Sequence, residues 1–294
     1  MNDNLSPRQF AEAIGVSESS VRRWADRGRI KMTKTGGGHR KIPRSEAIRF
    51  IRESKATVVR PDLLEIEQPS HRRGRAQAHA QQHEELLDAL EKGRADVVRG
   101  LLTTMYVNGV SAAQICDGPL RYAMQKIGAK WPEDPRSIFV EHRATNICVE
   151  ALNHLRMHFR PSLSFDPVAV GGAPEGDPFI VPSLMANTAL SDVGFRTVNL
   201  GPNTPLNVLA QSAQEMNAAL VWIALTSPLP KASIQAELAG LVGELRATQT
   251  QIVIGGLAAR RYEIPRDSHV HVFSSMGEME GFAKGLQAVL RNAN

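Results

Sequence analysis

The sequence predicts a multi-domain α and α/β chain: a small winged helix-turn-helix head, then a helical bundle, then a doubly wound parallel-sheet domain. Three observations predict it. Residues 1–55 hold two short capped helical patterns, a basic glycine hairpin and a third helical pattern. From about residue 80 to 160 apolar residues such as Leu86, Leu87 and Leu90, then Val97, Val98, Leu101 and Leu102, recur three to four apart, the period of an amphipathic helix. From Val168 onward short apolar runs alternate with helical stretches, which implies βαβ units and a parallel sheet.

The head can be read element by element. Ser6 and Pro7 start a helix, Ser6 as N-cap and Pro7 at the first helical position. Phe10, Ala11, Ala13 and Ile14 form its apolar face, and Gly15 closes it. Ser17 caps the next helix, about Glu18 to Arg27, so that Gly15 and Val16 stand where a helix-turn-helix needs a tight turn and a small buried residue. That second helix is expected to bury Val21 and Trp24 and to present Ser19, Ser20, Arg22, Arg23 and Arg27 outward. Gly28 ends it, followed by Ile30. The run Lys34 to Pro43 sets glycines between cations and reads as a flexible hairpin, the wing. Ser45 to Ile51 forms a third helix.

Charge agrees with a nucleic-acid reader. Residues 1–75 hold 17 Lys+Arg against 9 Asp+Glu, a net of +8; the rest of the chain therefore holds 18 against 21, a net of −3. A basic head on a near-neutral body is the electrostatic footprint of nucleic-acid binding. The expected contacts place Arg22 and Arg23 at the major groove and His39, Arg40 and Lys41 on phosphates.

The body is read as a linker over 56–79, a helical-bundle cap over 80–162, and a Rossmann-like sheet domain over 163–294. Strands are expected at Val168–Val170, Arg196–Leu200, Ala219–Leu225, Gln251–Ile254 and near Val270–Val272. Helices are expected at Ser183–Val193, Leu206–Met216, Ala232–Ala247 and Met276–Leu290. The length, 294 residues, allows two or three cores. There is no run of eighteen apolar residues and no basic-then-apolar opening, so neither a membrane span nor a secretory signal is expected. Cys116 and Cys148 have no CxxC spacing, which suits a reducing cytoplasm and argues against a disulfide scaffold or a zinc site. His154 and His158 share a helix face at a metal-compatible spacing, without an evident carboxylate or thiol partner.

Two resemblances follow from particular residues. The head, through Ala11-x3-Gly15-Val16-Ser17-x2-Ser20-Val21-Arg22-Arg23-Trp24-x3-Gly28-x-Ile30 and the wing Gly37-Gly38-His39-Arg40-Lys41-Ile42, resembles the MerR family over its whole length. The body resembles the cobalamin-binding modules of methyltransferases and of CarH/LitR light-dependent repressors. Trp131 followed after nine residues by Glu141-His142 is similar to the arrangement such sensors place over the upper face of adenosylcobalamin. Asp177 stands where the family's Asp-x-His-x-x-Gly motif begins. Ser227-x-Leu229 resembles the element that accommodates the nucleotide tail, and Gly255-Gly256 the glycine pair that allows close backbone approach.

The departures are equally specific. Phe179 occupies the position of the cobalt-ligating His, and Pro182 that of the glycine. Phenylalanine has no lone pair for a metal. Pro132 stands where such sensors can hold a second cobalt-ligating His. Three readings stay open: cobalamin bound without a lower protein ligand; another flat tetrapyrrole such as haem or biliverdin, with His142 as a possible metal ligand; or a body used only for oligomerisation or protein partners.

The resemblance implies a DNA-binding transcriptional regulator, not an enzyme. It is expected to be a cytoplasmic repressor whose ligand controls assembly as a dimer or tetramer on double-stranded operator DNA, with a light response in the resembling repressors. A corrinoid carrier for methyl transfer shares the body plan, but needs the axial His and has no use for a winged head.

Overall fold

The computed structural model describes residues 4–34, 36–64, 75–130 and 136–292. They fall into two units, Met1–Ser111 with Gly118–Arg160, and Ala112–Asp117 with Pro161–Asn294.

The first unit begins with β1 (Asn4–Leu5), α1 (Pro7–Ile14), α2 (Glu18–Asp26), β2 (Thr33–Lys34), β3 (Arg40–Pro43) and α3 (Arg44–Ser54). Local chemistry sets the helix ends. Ser6 Oγ accepts from Gln9 N at 3.1 Å while Gln9 Oε1 accepts from Ser6 N at 2.8 Å, a reciprocal capping box. Gly15 closes α1 at φ 68, and Ser17 Oγ caps α2 by accepting from Ser20 N at 3.2 Å. The turn differs from expectation in one respect. Val16 is only half-buried. The chain returning after α3 covers the turn instead: Val59 N donates to Ala13 O at 2.7 Å, and a Cβ on Gly15 would meet Val59 Cγ2 at 2.8 Å.

The wing is an antiparallel hairpin, with Thr33 opposite Lys41 and Lys34 opposite Arg40, and β1 pairs with the other edge of β3. Phe10, Val21, Ile30, Ile42 and Ile48 are fully buried beneath it. Phe50 joins them, edge-on to Phe10 at 5.9 Å and tilted against the half-buried Trp24 at 4.9 Å. Trp24 thus serves the core, as its spacing predicts.

A single 3-10 turn, Pro61–Leu64, precedes the helical block. This consists of α4 (Arg75–Glu91), α5 (Ala95–Val107), α6 (Ala112–Ile115), a π-helical turn (Cys116–Leu120), α7 (Arg121–Ala129) and α8 (Arg136–Arg156). Leu86 and Leu90, Val98 and Leu102, and Cys148, Leu152 and Leu155 are buried at the spacing of one helical face. Of the expected linker, 56–79, residues 65–74 fall outside the described residues, as do Trp131 and Pro132; the rest holds the Pro61–Leu64 turn and the start of α4 at Arg75.

The second unit holds β4 (Val168–Pro174), α9 (Ile180–Val193), β5 (Arg196–Thr204), α10 (Leu206–Glu215), β6 (Leu220–Ala224), α11 (Lys231–Leu245), β7 (Gln251–Gly255), β8 (Val270–Val272) and α12 (Met276–Asn292). The sheet order is β5-β4-β6-β7-β8 with every pair parallel, a doubly wound sheet. Side chains alternate between two layers, as strands buried on both faces require. Val168, Val170, Val221, Ile223, Ile252 and Ile254 meet α10 and α11. Ala169, Leu220, Trp222 and Val253 meet α9 and α12. β5 runs beyond the expected Leu200 to Thr204, through irregular pairing of Gly201 with Gly172 that a regular alternation would not reveal.

The short stretch Ala112–Asp117 is also part of this unit. Ala113 is fully buried in the α9–α12 layer, and Asp192 Oδ2 accepts from Ala112 N at 3.0 Å. The Asp117 carboxylate accepts from Met276 N at 2.9 Å and Gly277 N at 2.8 Å, capping α12.

Candidate functional site

On the head, α2 lies exposed beside the wing. Arg22, Arg23 and Arg27 are all exposed, as is Ser19; Ser20 is half-buried, with its hydroxyl 2.9 Å from Ser17 Oγ. Its hydroxyl is thus engaged in the N-cap turn of α2, with Ser17 itself exposed. Two of the arginines expected to meet DNA are held by neighbours. Arg22 pairs with Glu18 at 2.7 Å, and Arg40 on the wing pairs with Asp26 at the end of α2 at 2.9 Å. Such exposed pairs are worth only about 0–1 kcal/mol, so a phosphate can displace the carboxylate. Arg23 and Arg27 have no carboxylate partner among the described residues. His39 is exposed near the wing tip and Lys41 is half-buried on β3.

Glu46 on α3 fixes the chain that enters the wing. It accepts from Lys31 N at 2.7 Å and pairs with Arg49 at 2.5 Å. Burial pushes its carboxyl up, but the hydrogen bonds from Arg49 and Lys31 outweigh this and hold it below the usual carboxylate range.

In the helical block, Glu141 and His142 are successive residues of α8. Glu141 is largely buried and accepts from Thr145 Oγ1 at 3.1 Å. His142 is 69% exposed, its Nε2 3.5 Å from Glu141 Oε2. One turn earlier Phe139 is 64% exposed, with the Arg143 guanidinium 4.8 Å from its ring centre. Among the described residues no three His, Cys, Asp or Glu groups gather as a metal site. His154 and His158 meet edge-to-face at 5.0 Å, and His158 is buried.

In the sheet unit the crevice expected of such a fold lies at the carboxyl ends of β4 and β6, where the strand order reverses. Asp177 sits there and is fully buried. Its Oδ1 accepts from Phe179 N at 3.2 Å; its Oδ2 accepts from Thr226 N at 2.6 Å and Ser227 N at 2.9 Å. The carboxylate therefore staples the loop after β4 to the loop after β6. Asn203 N adds a bond to the Asp177 carbonyl at 3.1 Å. Phe179 is the N-cap residue just before α9 and is 45% exposed.

The other residues expected here serve the chain itself. Ser227 supplies its backbone N–H to Asp177. Leu229 turns into the α10–α11 layer, and its N–H donates to the Tyr262 hydroxyl at 2.6 Å. Gly255 O accepts from Leu225 N at 2.7 Å, and Gly256, at φ 109, lies so close to the Leu225 carbonyl that a Cβ there would collide with it.

Sequence reasoning missed the residues behind the crevice. Trp222 on β6 is 1% exposed, and a Cβ on Gly171 of β4 would lie inside its indole. Trp222 Nε1 donates to Ser183 Oγ on α9 at 3.0 Å; Ser183 Oγ donates to Asn199 Oδ1 on β5 at 2.8 Å; Gly201 N also donates to that oxygen, at 3.1 Å. The one available signal was a glycine within a strand, which marks a close approach.

Comparison with known proteins agrees with this architecture. Residues 5–55 match a helix-turn-helix domain family, and residues 82–156 match a B12 binding domain family. The monomethylamine corrinoid protein of Methanosarcina barkeri superposes with a TM-score of 0.52 at 19% identity, covering 71% of this chain and 99% of its own. A cobalamin-binding protein of Desulfitobacterium hafniense DCB-2 is 16% identical over 69% of this chain and 98% of its own, with a TM-score of 0.35. No curated protein matches the sequence. The chain thus joins a helix-turn-helix head to a B12-binding-type helical module and a doubly wound sheet. Haem and biliverdin find no support in these matches. Among the described residues no helix is long and apolar enough to cross a membrane.

Proposed function

We propose that this chain is a DNA-binding transcriptional regulator, of the MerR type in its head, that represses by occupying operator DNA as a homo-oligomer and responds to a corrinoid through its body. The observation that carries the DNA-binding reading is the exposed α2, with Arg23 and Arg27 unengaged by carboxylates, standing beside a basic hairpin. Heads of this kind read related half-sites in pairs, and one head alone neutralises few phosphates, so assembly is the natural point of control.

The match of residues 82–156 supports a corrinoid as the ligand class. The sheet unit does not fit the protein-ligated mode of binding. Phe179 offers cobalt no lone pair, and both oxygens of Asp177 are engaged by backbone N–H groups. The absent axial ligand also separates this chain from a methyl-transfer carrier, and the head favours a regulator over an enzyme.

A second reading, a body used only for assembly, is favoured by the same closed crevice. Binding of a promoter fragment from the chain's own genomic neighbourhood, followed by fluorescence anisotropy with and without hydroxocobalamin, separates them. A corrinoid-dependent change in operator affinity or sedimentation supports the first reading. Operator binding that ignores hydroxocobalamin supports the second. Failure to prefer promoter over random DNA would sink both.

A further inference from the structure

We infer that the sheet unit is plugged by Trp222 against the nucleotide tail of a corrinoid, so that the corrinoid it takes is one whose tail stays outside the sheet: base-on cobalamin, or a cobinamide that has no tail. This rests on the corrinoid reading of the body and specifies the ligand form.

In a doubly wound sheet the ligand crevice lies outside the carboxyl ends of the strands at the strand-order reversal, here between β4 and β6. The mouth of that crevice and the layer behind it, between β4 and α9, are both filled by the chain. The entrance is stitched by Asp177, whose carboxylate binds N–H groups from both loops. The space between β4 and α9 holds the Trp222 indole, seated over Gly171 and hydrogen-bonded to Ser183. Ser183 is itself fully buried and engaged with Asn199. Ala186, Ala189 and Leu190 of α9, with Met279 and Ala283 of α12, close the same layer. The glycines that would let a ligand approach admit chain atoms instead: Gly172 faces Gly201 O, 2.8 Å from where its Cβ would be, and Gly256 faces the Leu225 carbonyl. Interiors are close-packed, so a bulky aromatic base cannot enter without expelling the indole. Phe179 at the rim keeps 45% of its surface exposed, an apolar surface suited to stacking on a macrocycle from outside.

The experiment compares the full-length protein with its Phe179→His variant. Hydroxocobalamin and aquacobinamide are the probes, read by equilibrium dialysis and by the visible spectrum, which separates base-on from base-off cobalamin. The expected result is binding of the two corrinoids within about threefold of each other, since no tail contact distinguishes them, with cobalamin remaining base-on. Phe179→His supplies a ligand for cobalt but leaves the plug, so it is expected to strengthen cobinamide binding and still not take cobalamin base-off. Base-off cobalamin on either protein, or cobalamin favoured over cobinamide by about tenfold or more, overturns the inference.

If neither corrinoid binds either protein, the corrinoid reading of the body falls. The plug is then decided by Phe179→His combined with Trp222→Ala, with circular dichroism confirming that the variant is folded. Base-off uptake by that protein upholds the plug, and no uptake overturns it.

Discussion

The guanidinium of Arg52, in the last turn of α3, lies 3.7 Å from the ring centre of Tyr106 on α5. It also donates to the carbonyl oxygens of Tyr106 and, at 3.1 Å, of Val110. Tyr106 in turn packs at a tilt against Phe159, ring centres 5.0 Å apart. The head is thus docked on the helical block by a cation that satisfies carbonyls at the end of α5, where the helix dipole favours positive charge.

Removing this latch should loosen the head. Arg52→Ala loses charge-assisted hydrogen bonds and a cation–π contact, an expected destabilisation of about 2–3 kcal/mol. Arg52→Lys should fall between, because an ammonium keeps the charge but not the planar stack. Calorimetry should resolve a lower-melting transition for the head in Arg52→Ala. An unchanged single transition would contradict the latch.

Acid should weaken the first unit through His158. Burial, with the charges of His154 and Arg44 nearby, lowers its imidazole to about 4, from 6.5 in an unfolded chain. The unfolded state therefore takes up the proton first as pH falls. The contribution is complete above pH 6.5, declines between 6.5 and 4, and changes no further below 4. The loss is at most about 3 kcal/mol. Urea midpoints measured across that window should fall toward acid, and His158→Gln should flatten the slope. An equal slope in the variant would remove His158 as the cause.

DNA binding should divide the cations of the head. Arg23→Ala and Arg27→Ala remove side chains with no carboxylate partner, and each is expected to weaken operator binding severalfold. Arg40→Ala should reduce the salt dependence by about one unit of slope if the wing arginine leaves Asp26 for a phosphate. Anisotropy titrations over a range of salt read both quantities. A salt slope that Arg40→Ala leaves untouched would show that the wing does not reach the backbone.

The cap on α12 makes a fourth test. Asp117→Ala leaves Met276 N and Gly277 N without their acceptor and should cost about 1–2 kcal/mol in the sheet unit. Asp117→Asn, which still offers one carbonyl oxygen, should recover part of it. Denaturant midpoints followed by tryptophan fluorescence report the difference. Equal midpoints for wild type and Asp117→Ala would mean that the cap contributes nothing.

What could be read from the chain was local. Ser6, Gly15 and Ser17 mark the helix ends of the head because capping is decided by residues three or four apart. The parallel, doubly wound character of the sheet followed from strands alternating with helices; the strand order and the two packing layers did not. What stayed hidden was non-local. Nothing near Asp117 says that it caps a helix beginning at Met276, and nothing near Arg52 points to Tyr106. At Phe179 the sequence showed only a side chain with no lone pair for a metal. That Asp177 would turn to backbone N–H groups, and that Trp222 would fill the layer behind it, depends on loops and strands converging from distant parts of the chain.

The excursion of Ala112–Asp117 into the sheet unit carries a consequence for biosynthesis. Asp117 emerges from the ribosome 159 residues before Met276. At ordinary elongation rates of about 5–20 residues per second it waits roughly 10–30 s for the helix it must cap. Through that interval Ala113, destined for the interior, has no finished surface to join. The sheet unit therefore cannot mature until the residues from Met276 onward have been made, and a chaperone that shields apolar segments would find its target around Ala113.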